Sequence, residues 1–221
     1  MSNIVWKKAT IEQFDKWSEK KNKFLLLKRI EQIVPFVPVN SKILDVGCGD
    51  AEMLEHIQRV KTPAYAVGID FREGLIKHDA INILRGDAEN LPFKDQSFDC
   101  VTATAVIEHL PNPITALTEF KRVLRREGVL IITTPNPIYS KAADIASYLK
   151  LKYKEGLESP IYLDWLEKTL KNMNFEIVYS SGFLISPFKM PFADHLEEIL
   201  KRTVFHKILL NQIVVGKRFS K

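Results

Sequence analysis

Short apolar runs broken by glycine or charge recur along this chain, and between them apolar residues return every three or four positions. The runs suit buried strands and the longer spacing suits helices packed on them, so their alternation predicts an α/β fold with a doubly wound, mostly parallel sheet. Residues 42 to 46, Lys-Ile-Leu-Asp-Val, form the first run, followed by a Gly47-Cys48-Gly49 turn and a helical stretch. Residues 64 to 70 give a second strand ending on Asp70, and residues 81 to 93 a third that closes on Gly86-Asp87-Ala88. Residues 97 to 110 supply the fourth, and residues 119 to 136 a helix, a turn at Gly128 and a fifth strand. Ahead of them, Ile11, Phe14, Trp17, Phe24, Leu27, Ile30 and Val34 stand at helical spacing until Pro35 and Pro38 stop the pattern. This predicts an N-terminal helical cap over residues 1 to 40, either packed on the sheet or closing over a ligand.

The first strand and its turn carry the chemistry. Gly47 and Gly49 remove the side chains that would block close approach to a small ligand, and Asp45 sits at the strand's carboxyl end, where open α/β sheets bind ligands. A dinucleotide site needs a third glycine where this chain has Glu52. A carboxylate there repels a pyrophosphate and accepts a cationic ligand. S-adenosylmethionine, with a sulfonium, an ammonium and no phosphate, is such a ligand. Asp70, at the tip of strand two, is placed to accept both hydroxyls of a ribose, and Phe71 to lie against an adenine.

Asp45, Gly47 and Gly49, with Ala51 in the place of a third glycine, resemble motif I of the class I S-adenosylmethionine-dependent methyltransferases, in which Asp-x-Gly-x-Gly-x-Gly is common. With the strand ends at Asp70 and Asp87, the chain resembles the type 11 group, which includes the ubiquinone and menaquinone methylases. The resemblance covers residues 40 to 136 and thins beyond. It implies a Rossmann-like, seven-stranded sheet whose last strand, residues 211 to 219, is antiparallel, with a helix and strand six in residues 159 to 183. It implies S-adenosylmethionine as cofactor, held by Asp45, Gly47, Cys48, Gly49, Asp70, Phe71, Asp87 and Ala88, with Asp87 taking the adenine amino group. It also marks residues 183 to 210 as an insertion before the last strand. Phe183, Phe188, Phe192 and Phe205 make that insertion apolar, which suits a wall over an apolar acceptor, a dimer surface or a membrane contact.

Methyl transfer is an in-line displacement on an activated sulfonium, so alignment and exclusion of water are the main tasks. Where the acceptor must lose a proton, Glu108 and His109, just past strand four, are the pair placed to take it; the plainer reading makes them a helix cap ahead of Pro111 and Pro113. The function expected is methylation of a small, apolar acceptor on oxygen or carbon. A nucleic-acid methyltransferase and a non-catalytic cofactor-binding module are the alternatives. Thr134-Pro135-Asn136-Pro137 resembles the loop that amino-methylating enzymes carry after strand four but follows strand five, and is expected to shape the pocket floor.

Composition changes little in this picture. The chain has 221 residues, 46% hydrophobic and 27% charged, with a net charge of +5, which fits one globular domain and demands neither nucleic acid nor a membrane. Lys141, Lys150, Lys152 and Lys154 make only a thin basic cluster for a nucleic-acid groove. No apolar run approaches a membrane span, and no apolar signal core follows Lys7 and Lys8, so a cytosolic location is expected. Cys48 and Cys100 fall at opposite edges of neighbouring strands, too far apart for a disulfide. The five histidines are scattered without Cys or His partners at metal-ligand spacing, and no metal is expected.

Overall fold

A computed structural model describes residues 23–72, 81–139, 159–186 and 191–219. Helix α1 (Lys23–Ile33) opens them and passes into a 3-10 turn at Val34–Phe36, where Pro35 stands at the start of the turn. Residues 1 to 22 of the expected cap, with Ile11, Phe14 and Trp17, lie outside the described residues. Strand β1 (Lys42–Val46), α2 (Glu52–Lys61), β2 (Tyr65–Asp70), β3 (Asn82–Arg85) and β4 (Phe98–Thr104) follow. Then come α3 (Pro113–Val123), β5 (Leu124–Pro135), α4 (Leu163–Asn172), β6 (Phe175–Phe183), α5 (Ala193–Lys201) and β7 (Asn211–Arg218).

The seven strands form one sheet in the order β3-β2-β1-β4-β5-β7-β6. Strands β1 to β5 are parallel neighbours, and β7 runs antiparallel to both β5 and β6. The carboxyl ends of the parallel strands therefore share one edge, and the order reverses between β1 and β4, the crevice where such sheets bind ligands. Each face carries its own apolar layer. Leu44, Val46, Val101 and Leu130 pack with α3 and α4 through Leu117, Phe120, Leu166 and Leu170. Ile43, Cys100, Ile131 and Ile213 pack on the opposite face with α1 and α2 through Ile30, Ile33, Leu54 and Ile57. Alternation along β1 thus leaves Asp45 on the α1–α2 face, the same side as Ile43.

One expectation is corrected here. Strand four ends at Thr104, which leaves Glu108 and His109 past it as expected; Ala105 takes a left-handed conformation, φ 52°, and turns the chain out of the sheet. Gly128 is not a turn between helix and strand. Helix α3 ends at Val123 and β5 begins at Leu124, while Gly128 lies in a bulge where the β4 register jumps from Phe98↔Leu124 to Cys100↔Val129. Glu127 has φ 61°, and a Cβ on Gly128 would lie 2.8 Å from Leu124 Cγ, so only glycine lets the chain fold back this tightly.

Candidate cofactor and acceptor site

The turn after β1 alternates left-handed residues: Gly47 at φ 71°, Gly49 at 55° and Ala51 at 60°. The amides of Gly47 and Cys48 donate to the Ile69 carbonyl at 2.7 and 3.2 Å, and Ala51 N–H donates to the Cys48 carbonyl at 2.9 Å. A Cβ on Gly47 would lie 2.1 Å from Val106 Cγ2, so no side chain fits there. Ala51 occupies a conformation that costs an L-residue about 1–2 kcal/mol, yet its methyl group is buried in the α1–α2 core, which returns a gain of similar order. That balance explains an alanine where the resemblance calls for glycine. Cys48 keeps its thiol in the core. Its sulfur lies against Gly68, and burial pushes both cysteine thiols well above their usual range.

Asp70 ends β2 beside this turn. One carboxylate oxygen accepts from Gly49 N–H at 2.8 Å, and the other accepts from Arg72 N–H at 2.9 Å and Arg72 Nε at 3.3 Å. The Arg72 guanidinium also reaches Asp50 Oδ1 at 3.3 Å. A carboxylate has about four lone-pair sites, and three are engaged here, so a ribose diol on Asp70 must share with or displace Arg72. Neither the glycine bond nor the arginine clamp was visible in the sequence pattern.

Asp45 is only 2% exposed and accepts from Thr102 Oγ1 at 2.6 Å. Thr102 stands opposite it in the β1–β4 register. Burial, with Asp70's charge adding and the Thr102 bond opposing, raises the Asp45 carboxyl to about 7. A cation arriving beside it would favour the ionised form. Glu52 and Glu55 occupy the first turn of α2, so this helix N-terminus carries negative charge, which fits a cationic cofactor and opposes a diphosphate.

Asp87 follows β3 on the same sheet edge. Gly86 N–H donates to the Asp70 carbonyl at 2.9 Å, and a Cβ on Gly86 would strike Ile69 Cδ1 at 2.4 Å. Asp87 is exposed and its Oδ1 accepts from Glu89 N–H at 2.9 Å, which shapes the turn, while Ala88 is buried in the α3–α4 core. Phe71, between Asp70 and Arg72, is half-buried.

Past β4, Val106 lies on Gly47 and Ile107–His109 form a 3-10 turn. This brings Glu108 and His109 to the same edge as the glycine turn. Glu108 is buried, and His109 Nε2 lies 3.9 Å from its Oε1. The pair is not the cap of α3, since Asn112 Oδ1 accepts from Thr115 N–H at 3.2 Å and fills that role.

Asn136 ties two segments together. It is buried, and its Nδ2 donates to the carbonyls of Lys207 and Leu209 at 2.7 and 2.8 Å while its N–H donates to the Leu210 carbonyl at 2.8 Å. The segment 204–210 is thereby latched to the end of β5. Gly182 closes the other side: its N–H donates to His206 Nδ1 at 3.2 Å, and a Cβ there would lie 1.9 Å from the His206 carbonyl oxygen. The phenylalanines of residues 183 to 210 do not act together. Phe183 is fully buried at the end of β6, Phe192 is 85% exposed and Phe205 is exposed as well; Phe188 lies outside the described residues, as do Lys141, Lys150, Lys152 and Lys154. No helix among the described residues is long and apolar enough to cross a membrane.

A methyltransferase-domain family model matches residues 44–132, the span from β1 to β5. The demethylmenaquinone methyltransferase of Staphylococcus haemolyticus is 29% identical over 190 residues, covering 81% of this chain and 74% of that protein. The enzyme of the same name from Staphylococcus epidermidis strain ATCC 35984 is 31% identical over 164 residues, 63% of this chain and 68% of that one. Among solved structures, a chain of the complex between the Haloferax volcanii Trm112 methyltransferase activator and its methyltransferase partner superposes with a TM-score of 0.73 at 15% identity, over 96% of this chain and 98% of that chain, which is a likeness of fold. The chain belongs to the class I S-adenosylmethionine-dependent methyltransferases, in the type 11 group that includes the quinone-biosynthesis methylases, and it is an S-adenosylmethionine-dependent enzyme.

Proposed function

We propose that the enzyme, working in the cytosol, methylates a small, apolar acceptor on oxygen or carbon, with the Glu108–His109 pair assisting removal of the acceptor's proton. The observation that carries this reading is the contact of Val106 with Gly47, which sets the loop bearing Glu108 and His109 against the cofactor turn. S-adenosylmethionine supplies a methyl group already activated on sulfur. Asp45 and Glu52 provide negative charge for its cationic end, Asp70 receives the ribose, and Phe71, Asp87 and Ala88 border the adenine. Gly47, Cys48 and Gly49 contribute backbone at close approach. Within the pair, His109 Nε2 stands 3.9 Å from Glu108 Oε1, a carboxyl group placed to orient the imidazole. Two relatives carry the name of a quinone precursor as their acceptor, which supports an apolar ring bearing an acidic hydroxyl or its adjacent carbon.

The test is methyl transfer from isotope-labelled S-adenosylmethionine to an apolar extract and, separately, to RNA. Label should enter the apolar fraction. His109→Ala should lower turnover by about a hundredfold, as for loss of a true general base, with cofactor affinity retained. Label in the RNA fraction alone would overturn the acceptor class, and near-normal turnover of the variant would leave alignment as the only catalytic device.

A further inference from the structure

Helix α5 faces the wrong way for a helix that merely packs on the protein. Its apolar residues Leu196 and Ile199, with Phe192 at its N-cap, recur at i, i+4 and i+7 and form one stripe. Asp194, Glu197 and Lys201 lie on the opposite side. The side that turns inward carries Glu197 and Lys201, with Ala193 and Leu200 half-buried beside them, while Asp194 stays exposed at its margin. Glu197 is the sole buried residue of the helix, Lys201 bonds it at 2.9 Å and reaches Gln32 on α1 at 3.3 Å, and Lys28 on α1 holds Asp194 at 2.8 Å. The apolar stripe is left in solvent, and the 3-10 turn that follows at Val204–Ile208 exposes further apolar residues, Val204 at 77% and Phe205 and Ile208 as well. Exposed apolar patches mark protein, membrane or ligand contacts.

We propose that this face, Phe192, Leu196, Ile199, Val204, Phe205 and Ile208, docks the enzyme on an anionic lipid surface; the inference rests on the reading of an apolar acceptor. Three features favour a bilayer. Asp194 on α5 is paired with Lys28, and Glu197 and Glu198 share Lys201, which leaves one acid that the neighbouring Arg202 offsets, so the helix does not repel phosphate groups by net charge. Arg202 stands exposed at the end of the helix, and the whole chain carries +5, which anionic headgroups attract. The same segment is latched by Asn136 to the carboxyl end of β5, the edge that holds the cofactor turn, so docking sets that edge near the phase in which an apolar acceptor dissolves.

Flotation of the full chain with vesicles of phosphatidylcholine alone, and of phosphatidylcholine with phosphatidylglycerol, tests the proposal. Association is expected with the anionic vesicles and much less with the neutral ones. The triple variant Phe192→Ser, Val204→Ser, Phe205→Ser should lose about tenfold or more in partition coefficient, while its urea midpoint, its S-adenosylmethionine affinity and its turnover of a detergent-solubilised acceptor stay at wild-type values. Arg202→Glu should weaken binding to the anionic vesicles with the apolar face intact. Absence of vesicle binding by the wild type, or equal binding by the triple variant, would overturn the proposal, as would a wild-type dimer in sedimentation that the triple variant splits. Vesicle binding by an enzyme that methylates no apolar acceptor would overturn the acceptor reading and leave the docking face standing; turnover of a solubilised apolar acceptor without vesicle binding would do the reverse.

Discussion

Asp45→Asn should stabilise the cofactor-free protein above neutral pH and change little near pH 4. Asp45 is buried, and its carboxyl stands at about 7 against an ordinary 3.8, mainly because burial disfavours the charged form. Below pH 3.8 the group is protonated in both the folded and the unfolded chain and has no effect. Between about pH 4 and pH 7 the folded chain holds a proton that the unfolded chain has released, so this group makes stability fall as pH rises, and its full cost is present above 7. Roughly three pKa units at about 1.36 kcal/mol each give a cost of about 4 kcal/mol at most. Asparagine keeps the shape and an acceptor for the Thr102 hydroxyl without the charge. Urea midpoints of both proteins at pH 4, 6 and 8 measure the gap, which should open in favour of the variant as pH rises. The same variant should bind S-adenosylmethionine more weakly than the wild type at pH 8, where the wild type offers a carboxylate to the ammonium. A stability gap that is constant across this range, or a variant less stable than wild type at pH 8, would refute the linkage argument.

Gly47→Ala should abolish measurable cofactor binding and lower the thermal midpoint, because its Cβ meets Val106 at 2.1 Å in a left-handed conformation; calorimetric titration and a melting curve check both. Asp70→Asn should weaken S-adenosylmethionine binding about tenfold or more, the loss of one charge-assisted hydrogen bond being about 1.5–3 kcal/mol. Because Asp70 also fastens Gly49 and Arg72, proteolysis of the glycine turn should quicken in the same variant even without ligand. Asn136→Ala strands the Lys207 and Leu209 carbonyls and should cost about 1–3 kcal/mol; amide exchange should rise at residues 204 to 210 ahead of the sheet.

What the chain determines locally is the cofactor half. A strand that ends in Gly-x-Gly can only turn sharply, because left-handed φ at alternate positions admits almost nothing else, and parallel strands bring their carboxyl-end acids to one edge whatever the rest of the molecule does. Asp45, Asp70 and Asp87 were therefore legible as a set. Contacts between distant segments decided the rest. Burial on the α1–α2 face, and not its place in a motif, raises the Asp45 carboxyl; Arg72 becomes a clamp only because the turn returns over Asp70; and Asn136 latches a segment some seventy positions away. The plainest case is α5. Periodicity along residues 192 to 201 marks an apolar stripe and a polar one, but hydrophobic spacing carries no sign telling which stripe meets the protein. Lys28 and Gln32, on a helix more than 150 residues earlier in the chain, bond the polar side and leave the phenylalanine side to water or to lipid.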